Sequence, residues 1–334
     1  MLEKSWRWLH RRPAIAAAIV LPLIVLAAAS AIIKSINDDN YRQQGYQRVQ
    51  IRTNPSGARI AIVPIDKRTG EPNTHPGAVI RPSGKTPLTV YLQPNDYFIE
   101  AVIPGDGGAL DIAEVYQTLS PPELLNRSLV QRNNFDGREE RAREVEFEIE
   151  IKPAADVIPG MVAVPIDREL RRANPLLPAL IYVDRNETSQ RDLDTPPKNR
   201  DGDQFIDFET AKIAVAAKSR RLPSAVEYDA IVKAAADGQS KDFESGATAT
   251  VEDLIDGMAE WTTTKYDFPG QASDRGNVGK LNGMRILKGY GDPRNLFGLL
   301  RSAEGYLIAS PDSKSPIIGF RGVRTGRPRF VSPQ

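Results

Sequence analysis

From Pro13 to Ile33 the chain reads PAIAAAIVLPLIVLAAASAII, 21 residues without a charge. At about 1.5 Å per residue, a helix of that length crosses a hydrocarbon core about 30 Å thick. Lys4, Arg7, Arg11 and Arg12 precede the run, with Glu3 as the one acid, and Lys34, Asp38 and Asp39 follow it. Positive flanks stay in the cytoplasm, so residues 1–12 read as a basic tail, 13–33 as a transmembrane helix, and everything from residue 35 as outward-facing. Trp6 and Trp8 stand where interfacial aromatics anchor a span, and Pro22 lies mid-span, which membrane helices tolerate. The competing reading is a cleaved signal peptide, since Ala29-Ser30-Ala31 has the form of a cleavage site. The run is longer than the roughly 7–15 apolar residues of a signal, which favours an uncleaved anchor.

Composition removes several chemistries. The chain has no cysteine, and its two histidines are His10 and His75. Disulfides, thiolate metal sites, a cysteine nucleophile and a multi-histidine metal centre are therefore excluded. Beyond residue 34 there are 39 bases against 42 acids. That balance argues against a basic surface for nucleic acid. A chain that is 40% hydrophobic and 26% charged is globular rather than disordered.

Residues 35–47 read as a short polar stalk. A period-2 pattern then begins: Val49, Ile51 and Thr53 alternate with Gln50 and Arg52, and Asn54-Pro55-Ser56-Gly57 makes a turn. Arg59–Val63 resumes the strand, and a Gly- and Pro-rich loop runs over 64–83. Leu88, Val90 and Leu92 form a third strand, which Pro94-Asn95-Asp96 should turn into a hairpin with Tyr97–Ile103. Three of these pieces, Asn54–Ala58, Gly84–Leu88 and Leu92–Tyr97, resemble a PEGA domain. Asn95-Asp96 replaces the family's Pro-Gly turn, a mild change because both residues tolerate turn geometry. The resemblance covers 48–104 and implies a small all-β sandwich on bacterial envelope and surface proteins, without catalytic residues.

Residues 105–156 read as a connector containing one strand. Glu144, Glu146, Glu148 and Glu150 alternate with Val145, Phe147, Ile149 and Ile151, so one face is buried and the other acidic. The acidic face could hold a cation, but a solvated face is the expectation.

Further on, Met161–Pro165 and Leu180–Thr188 are apolar strands, and 209–219 reads as a helix. Ser224 and Glu227 have capping-box spacing ahead of Tyr228, Ile231, Val232 and Ala235, and Gly238 stops that helix. Beyond residue 240 loops and short strands are expected. In order, Met161–Pro165, Tyr182–Thr188, Arg221–Ala230, Asp253–Thr262, Arg285–Gly289 and Gly319–Arg321 resemble the formylglycine-generating enzyme (sulfatase-modifying factor) family. The resemblance spans 157–326. Its fingerprint residues here are Arg221, Leu222, Pro223, Glu227, Glu260, Trp261, Gly319, Phe320 and Arg321. It implies a loop-rich fold like that of C-type lectins, and a fold class of α+β for the whole chain. Arg221 and Arg321 are expected as internal donors to carbonyls or carboxylates, and Glu260-Trp261 as core.

Active relatives oxidise a substrate cysteine with copper held by two thiols. An ungapped count places Arg294 and Leu299 near those positions, and neither ligates a soft metal. The histidines of iron-dependent relatives are missing too. The segment that helps build the family's calcium site reads Asp256-Gly257-Met258-Ala259, without its amide ligand, so Asp253 and Asp256 are all that remains for calcium. Asn199–Asp207 resembles a calcium loop, but its spacing fails, and an acidic turn is expected. The implied protein has no cofactor and no catalytic residue. It is a pseudoenzyme of the bacterial inner membrane, single-pass, with its bulk periplasmic, that binds or scaffolds a protein or peptide partner. Tyr290, Asp292, Arg294, Phe297 and Arg301 are candidates for the groove. Two alternatives stay open: an enzyme with replaced chemistry using carboxylates such as Asp292 or Asp253, and a regulatory partner of an envelope kinase or secretion system.

Overall fold

The computed structural model describes residues 22, 24–26, 28–29, 36, 39–41, 43–75, 77–105, 110–121, 144–189, 206–242, 245–252, 254, 257–267, 283–289, 299–302, 306–313, 315 and 317–331. The fold is mixed α+β and consists mostly of strands. Among the described residues no helix is long and apolar enough to cross a membrane, and most of the span expected at 13–33 lies outside them. Two compact units are present: Met1–Val49 with Tyr91–Pro94 and Pro121–Val145, and Gln50–Val90 with Asn95–Ser120 and Glu146–Gln334. Within the first, Tyr41 stacks on Tyr91 with ring centroids 4.5 Å apart.

The first strands are β1 (Gln47–Asn54), β2 (Arg59–Pro64), β3 (Leu88–Leu92), β4 (Asn95–Pro104), β5 (Leu110–Leu119) and β6 (Glu144–Glu150). They form two sheets, in the orders β3-β1-β6 and β2-β4-β5. In β1 the period of two buries Val49, Ile51 and Thr53 and exposes Arg52. In β6 it buries Phe147 and Ile149 and leaves Glu146, Glu148 and Glu150 exposed. Thr86 ties two of the turn motifs together. Its hydroxyl accepts from the backbone N–H of Gly57 and Ala58 at 3.1 and 2.9 Å.

The hairpin expected around Pro94 does not form. β3 lies beside β1, whereas β4 lies between β2 and β5. Tyr97 through Val102 are six consecutive buried residues. A strand covered on both faces belongs at the centre of a sheet, where it is paired along both edges. β2 takes one edge, from Arg59 opposite Val102 to Pro64 opposite Tyr97. β5 takes the other over its full length, from Asn95 opposite Leu119 to Pro104 opposite Leu110. β5 itself falls in the stretch read as connector. Glu114 at its middle breaks the alternation, and the glycines and prolines flanking it look like linker. The core of this sheet includes Ala61, Val63, Phe98, Val102 and Ile112, and it is completed by Phe330 and Val331.

The chain continues as α1 (Ala154–Val157), β7 (Met161–Pro165), α2 (Arg168–Ala173), β8 (Leu180–Asp184), α3 (Phe208–Ala217), α4 (Ala225–Ala236), β9 (Lys241–Asp242), β10 (Ala259–Lys265), β11 (Arg285–Lys288), β12 (Leu300–Arg301), β13 (Leu307–Ala309), β14 (Ile318–Gly319) and β15 (Val323–Thr325). Two sheets result, in the orders β15-β8-β7-β9 and β12-β13-β11-β10-β14. α4 starts with the capping box of Ser224 and Glu227. Its Tyr228, Ile231 and Ala234 pack in one core with Val162, Val164, Ile181 and Val183. Trp261 is fully buried in a second core with Phe208, Leu287, Leu299 and Phe320. Its indole N–H donates to the Ile206 carbonyl at 3.1 Å.

Candidate functional site

Arg221 and Glu227, and Glu260 and Arg321, lie in two buried ionic clusters. Arg221, at the entry to α4, uses all five of its N–H groups. Nε donates to Glu114 of β5 at 2.9 Å. Nη1 donates to Glu227 at 2.7 Å and to the Leu222 carbonyl at 3.2 Å. Nη2 donates to Glu227 at 2.7 Å and to the Thr325 hydroxyl at 3.2 Å. Arg329 closes the cluster with contacts to Glu114 at 2.7 Å and Glu227 at 3.1 Å. Burial by itself would raise the Glu114 carboxyl, but the two guanidiniums outweigh it and hold Glu114 at about 2. Glu227 is lowered against its burial by the same two arginines.

Arg321 has the same completeness at the end of β14. It donates to both carboxylate oxygens of Glu260, and to the carbonyls of Asp184, Arg185 and Glu252 at 2.8–2.9 Å. The Tyr228 hydroxyl donates to Glu260 at 3.3 Å and to the Leu254 carbonyl at 2.9 Å. Burial dominates at Glu260, with Glu187 adding to it, and pushes its carboxyl up to about 7 despite Arg321. A third pair joins Arg220 to Asp184, whose other oxygen accepts from the Gly322 N–H at 2.8 Å. Leu222 is buried in the Trp261 core, and the Pro223 carbonyl accepts from the Thr263 N–H at 2.9 Å. Gly319 pairs with Glu260 across β14 and β10, and a Cβ there would lie 3.0 Å from the Thr188 carbonyl.

The groove candidates fall elsewhere. Tyr290, Asp292, Arg294 and Phe297 lie outside the described residues, as do Asp253 and Asp256. Arg301 is exposed on β12. Leu299 is buried in the Trp261 core. Asp207, at the end of the acidic stretch 199–207, caps α3 by accepting from the Thr210 N–H at 2.8 Å. Among the described residues, no three side chains of His, Asp or Glu are grouped to hold a metal ion.

Two adjoining clefts run between β5 and α3. One, of about 290 Å³, is lined by Glu114, Tyr116, Glu148, Ser219, Arg220 and Arg221 among others. The other, of about 190 Å³, is lined by Gly70, Asp96, Phe208, Lys212, Lys265 and Arg285 among others. Both include Tyr116, Gln117, Lys212 and Thr263. In the larger cleft Glu114 is fully engaged by arginines, and Glu148 is solvated on the outer face of β6. Neither is placed as a proton donor in a dry site, so this lining can hold a ligand but is not arranged for acid–base chemistry. Sequence reading did not find these clefts, because their walls come from β5, from the 64–83 loop and from α3, which are far apart in the chain. The one available signal was the three cations Lys212, Lys265 and Arg285, and they share no motif.

Compared with family models, curated proteins and solved structures, the chain matches none.

Proposed function

We propose that the chain is a non-catalytic binding or scaffolding protein of the bacterial envelope. It is anchored in the inner membrane by residues 13–33 and has its bulk in the periplasm. The observation that carries this reading is the saturation of Arg221 and Arg321. The residues that resemble the formylglycine-generating family spend their charge on the protein's own carboxylates and carbonyls. They frame a fold, the chain has no cysteine, and its two histidines, His10 and His75, lie outside residues 157–326. A C-type-lectin-like arrangement over 157–326 and a PEGA-like arrangement over 48–104 belong to the same proposal. They are supported by the order of motifs and by the Thr86 tie between two of them. Exposure of Ile24, Val25 and Leu26 supports the anchor, because water does not favour such a row.

The full chain, purified in detergent, is expected to leave a cysteine-containing sulfatase-type peptide unoxidised with and without added copper, as read by mass spectrometry. Formation of formylglycine would overturn the reading. For topology, a reporter enzyme active only outside the cytoplasm, fused after Gln334, should be active in intact cells.

A further inference from the structure

The smaller cleft contains two cations that the protein leaves largely unused. Arg285 lies on β11 with its guanidinium carbon 4.2 Å from the centroid of the Phe208 ring. Among the described residues, its one hydrogen bond runs from Nη1 to the Thr263 carbonyl, and its Nε is buried without a partner. Lys265, on β10, donates to the Lys67 carbonyl at 3.3 Å. No carboxylate among the described residues is ion-paired with either. Of the cleft's acids, Glu209 pairs with Lys212 at 2.9 Å and Asp96 accepts from the Thr118 hydroxyl at 2.6 Å; both act on Arg285, and Asp96 on Lys265, without an ion pair.

Gly70 keeps this side of the cleft narrow. Its φ is +71°, and a Cβ there would lie 2.8 Å from Lys265 Cγ, 2.9 Å from Arg285 Nη1 and 3.0 Å from the Thr263 carbonyl. The 64–83 loop therefore reaches the two cations only because residue 70 has no side chain. The backbone is fixed there too, since the Lys265 N–H donates to the Thr69 carbonyl at 2.6 Å.

We propose that this cleft is a binding site for a small oxyanion, a carboxylate or phosphate group, held between Lys265 and Arg285 over the face that Phe208 supports. A guanidinium held over the Phe208 ring and bonded through Nη1 alone keeps N–H groups for an oxyanion, and the ammonium supplies a point charge beside it. Burial, and for Lys265 also the nearby Arg285, lowers the proton affinity of both groups. An incoming anion relieves that repulsion. The cavity, at about 190 Å³, suits a ligand of a few heavy atoms rather than a peptide. The proposal goes beyond the scaffold reading and does not depend on the membrane anchor or on any family likeness.

The test is isothermal titration calorimetry of the full chain in detergent, at constant ionic strength, with inorganic phosphate, succinate and chloride in separate runs. Saturable binding of phosphate or succinate, and not of chloride, is expected. Lys265→Met and Arg285→Met should each weaken it about tenfold or more, the loss of one charge-assisted contact. Lys233→Ala, an exposed side chain of α4 outside the cleft lining, should leave it unchanged. The two ligand arms decide between phosphate and carboxylate. If Arg285→Met does not fold, Lys265→Met on a more exposed side chain carries the test. Absence of saturable binding by both anions, or equal affinity in Lys265→Met, would overturn the site.

Discussion

Arg221 and Arg285 each line a cleft that includes Thr263, and they are used in opposite ways. Arg221 spends every N–H on Glu114, Glu227, Leu222 and Thr325, deep in the fold. Arg285 spends one, on Thr263, and stacks the rest of its guanidinium on Phe208 at the wall of a cleft. An arginine that satisfies itself internally is part of the scaffold, because moving it would orphan buried carboxylates. One that does not is paying a desolvation cost for something outside the chain. The contrast separates frame from site between two arginines that both open a sequence motif, Arg221–Ala230 and Arg285–Gly289.

The strongest way to break that distinction is to remove each arginine in turn. Arg221→Met should cost about 3–5 kcal/mol in urea unfolding, since it leaves Glu114 and Glu227 buried with only Arg329 between them. Arg285→Met should cost about 1 kcal/mol, the value of one hydrogen bond. Similar costs for the two would abolish the contrast.

The carboxylates of the frame also predict slopes with pH. Glu260 titrates at about 7 in the fold against 4.5 in the unfolded chain. Between those values the folded state keeps a proton the unfolded chain has lost. Its contribution is complete below pH 4.5 and disappears as pH rises through 7, at up to about 1.4 kcal/mol per unit. Glu114, at about 2 in the fold, behaves in the reverse sense. Its contribution is complete above pH 4.5 and disappears as pH falls through 2. Glu260→Gln should flatten the first slope and leave the second, as read by chemical denaturation across pH.

Gly70→Ala should destabilise by about 1–2 kcal/mol through its positive φ, with further crowding against Thr263. It should also weaken anion binding, because the loop must lift from Lys265 and Arg285; unchanged binding would remove the loop from the site. The smallest effect belongs to the outer face of β6. Arg52 and Glu146 pair at 2.8 Å, but both side chains are about half exposed. Arg52→Ala should change stability by about 0.5 kcal/mol or less.

Local rules made much of the fold legible. Ser224 and Glu227 announce the start of α4, because a capping box needs only four consecutive residues to be read. The alternation in β1 and β6 is legible for the same reason: a side chain's face follows from its neighbours one and two places away. β5 was not legible, since Glu114 sits where an apolar residue should. What makes it acceptable there is Arg221 and Arg329, more than a hundred residues away. The missing hairpin has the same origin. Two residues between β3 and β4 favour a turn locally, but burial of both faces of β4 sends its edges to β2 and β5.

The amino-acid order alone determined which chemistry is ruled out, where the apolar run lies, and where most strands and the capped helices begin, because composition and short-range periodicity are properties of neighbours along the chain. Only the tertiary structure decided that Arg221 and Arg321 are internally spent, that Phe330 and Val331 complete the core of the β2-β4-β5 sheet, and that Lys265 and Arg285 meet across Gly70. Those outcomes depend on which distant groups share a low-dielectric space, and charge acquires its meaning only there.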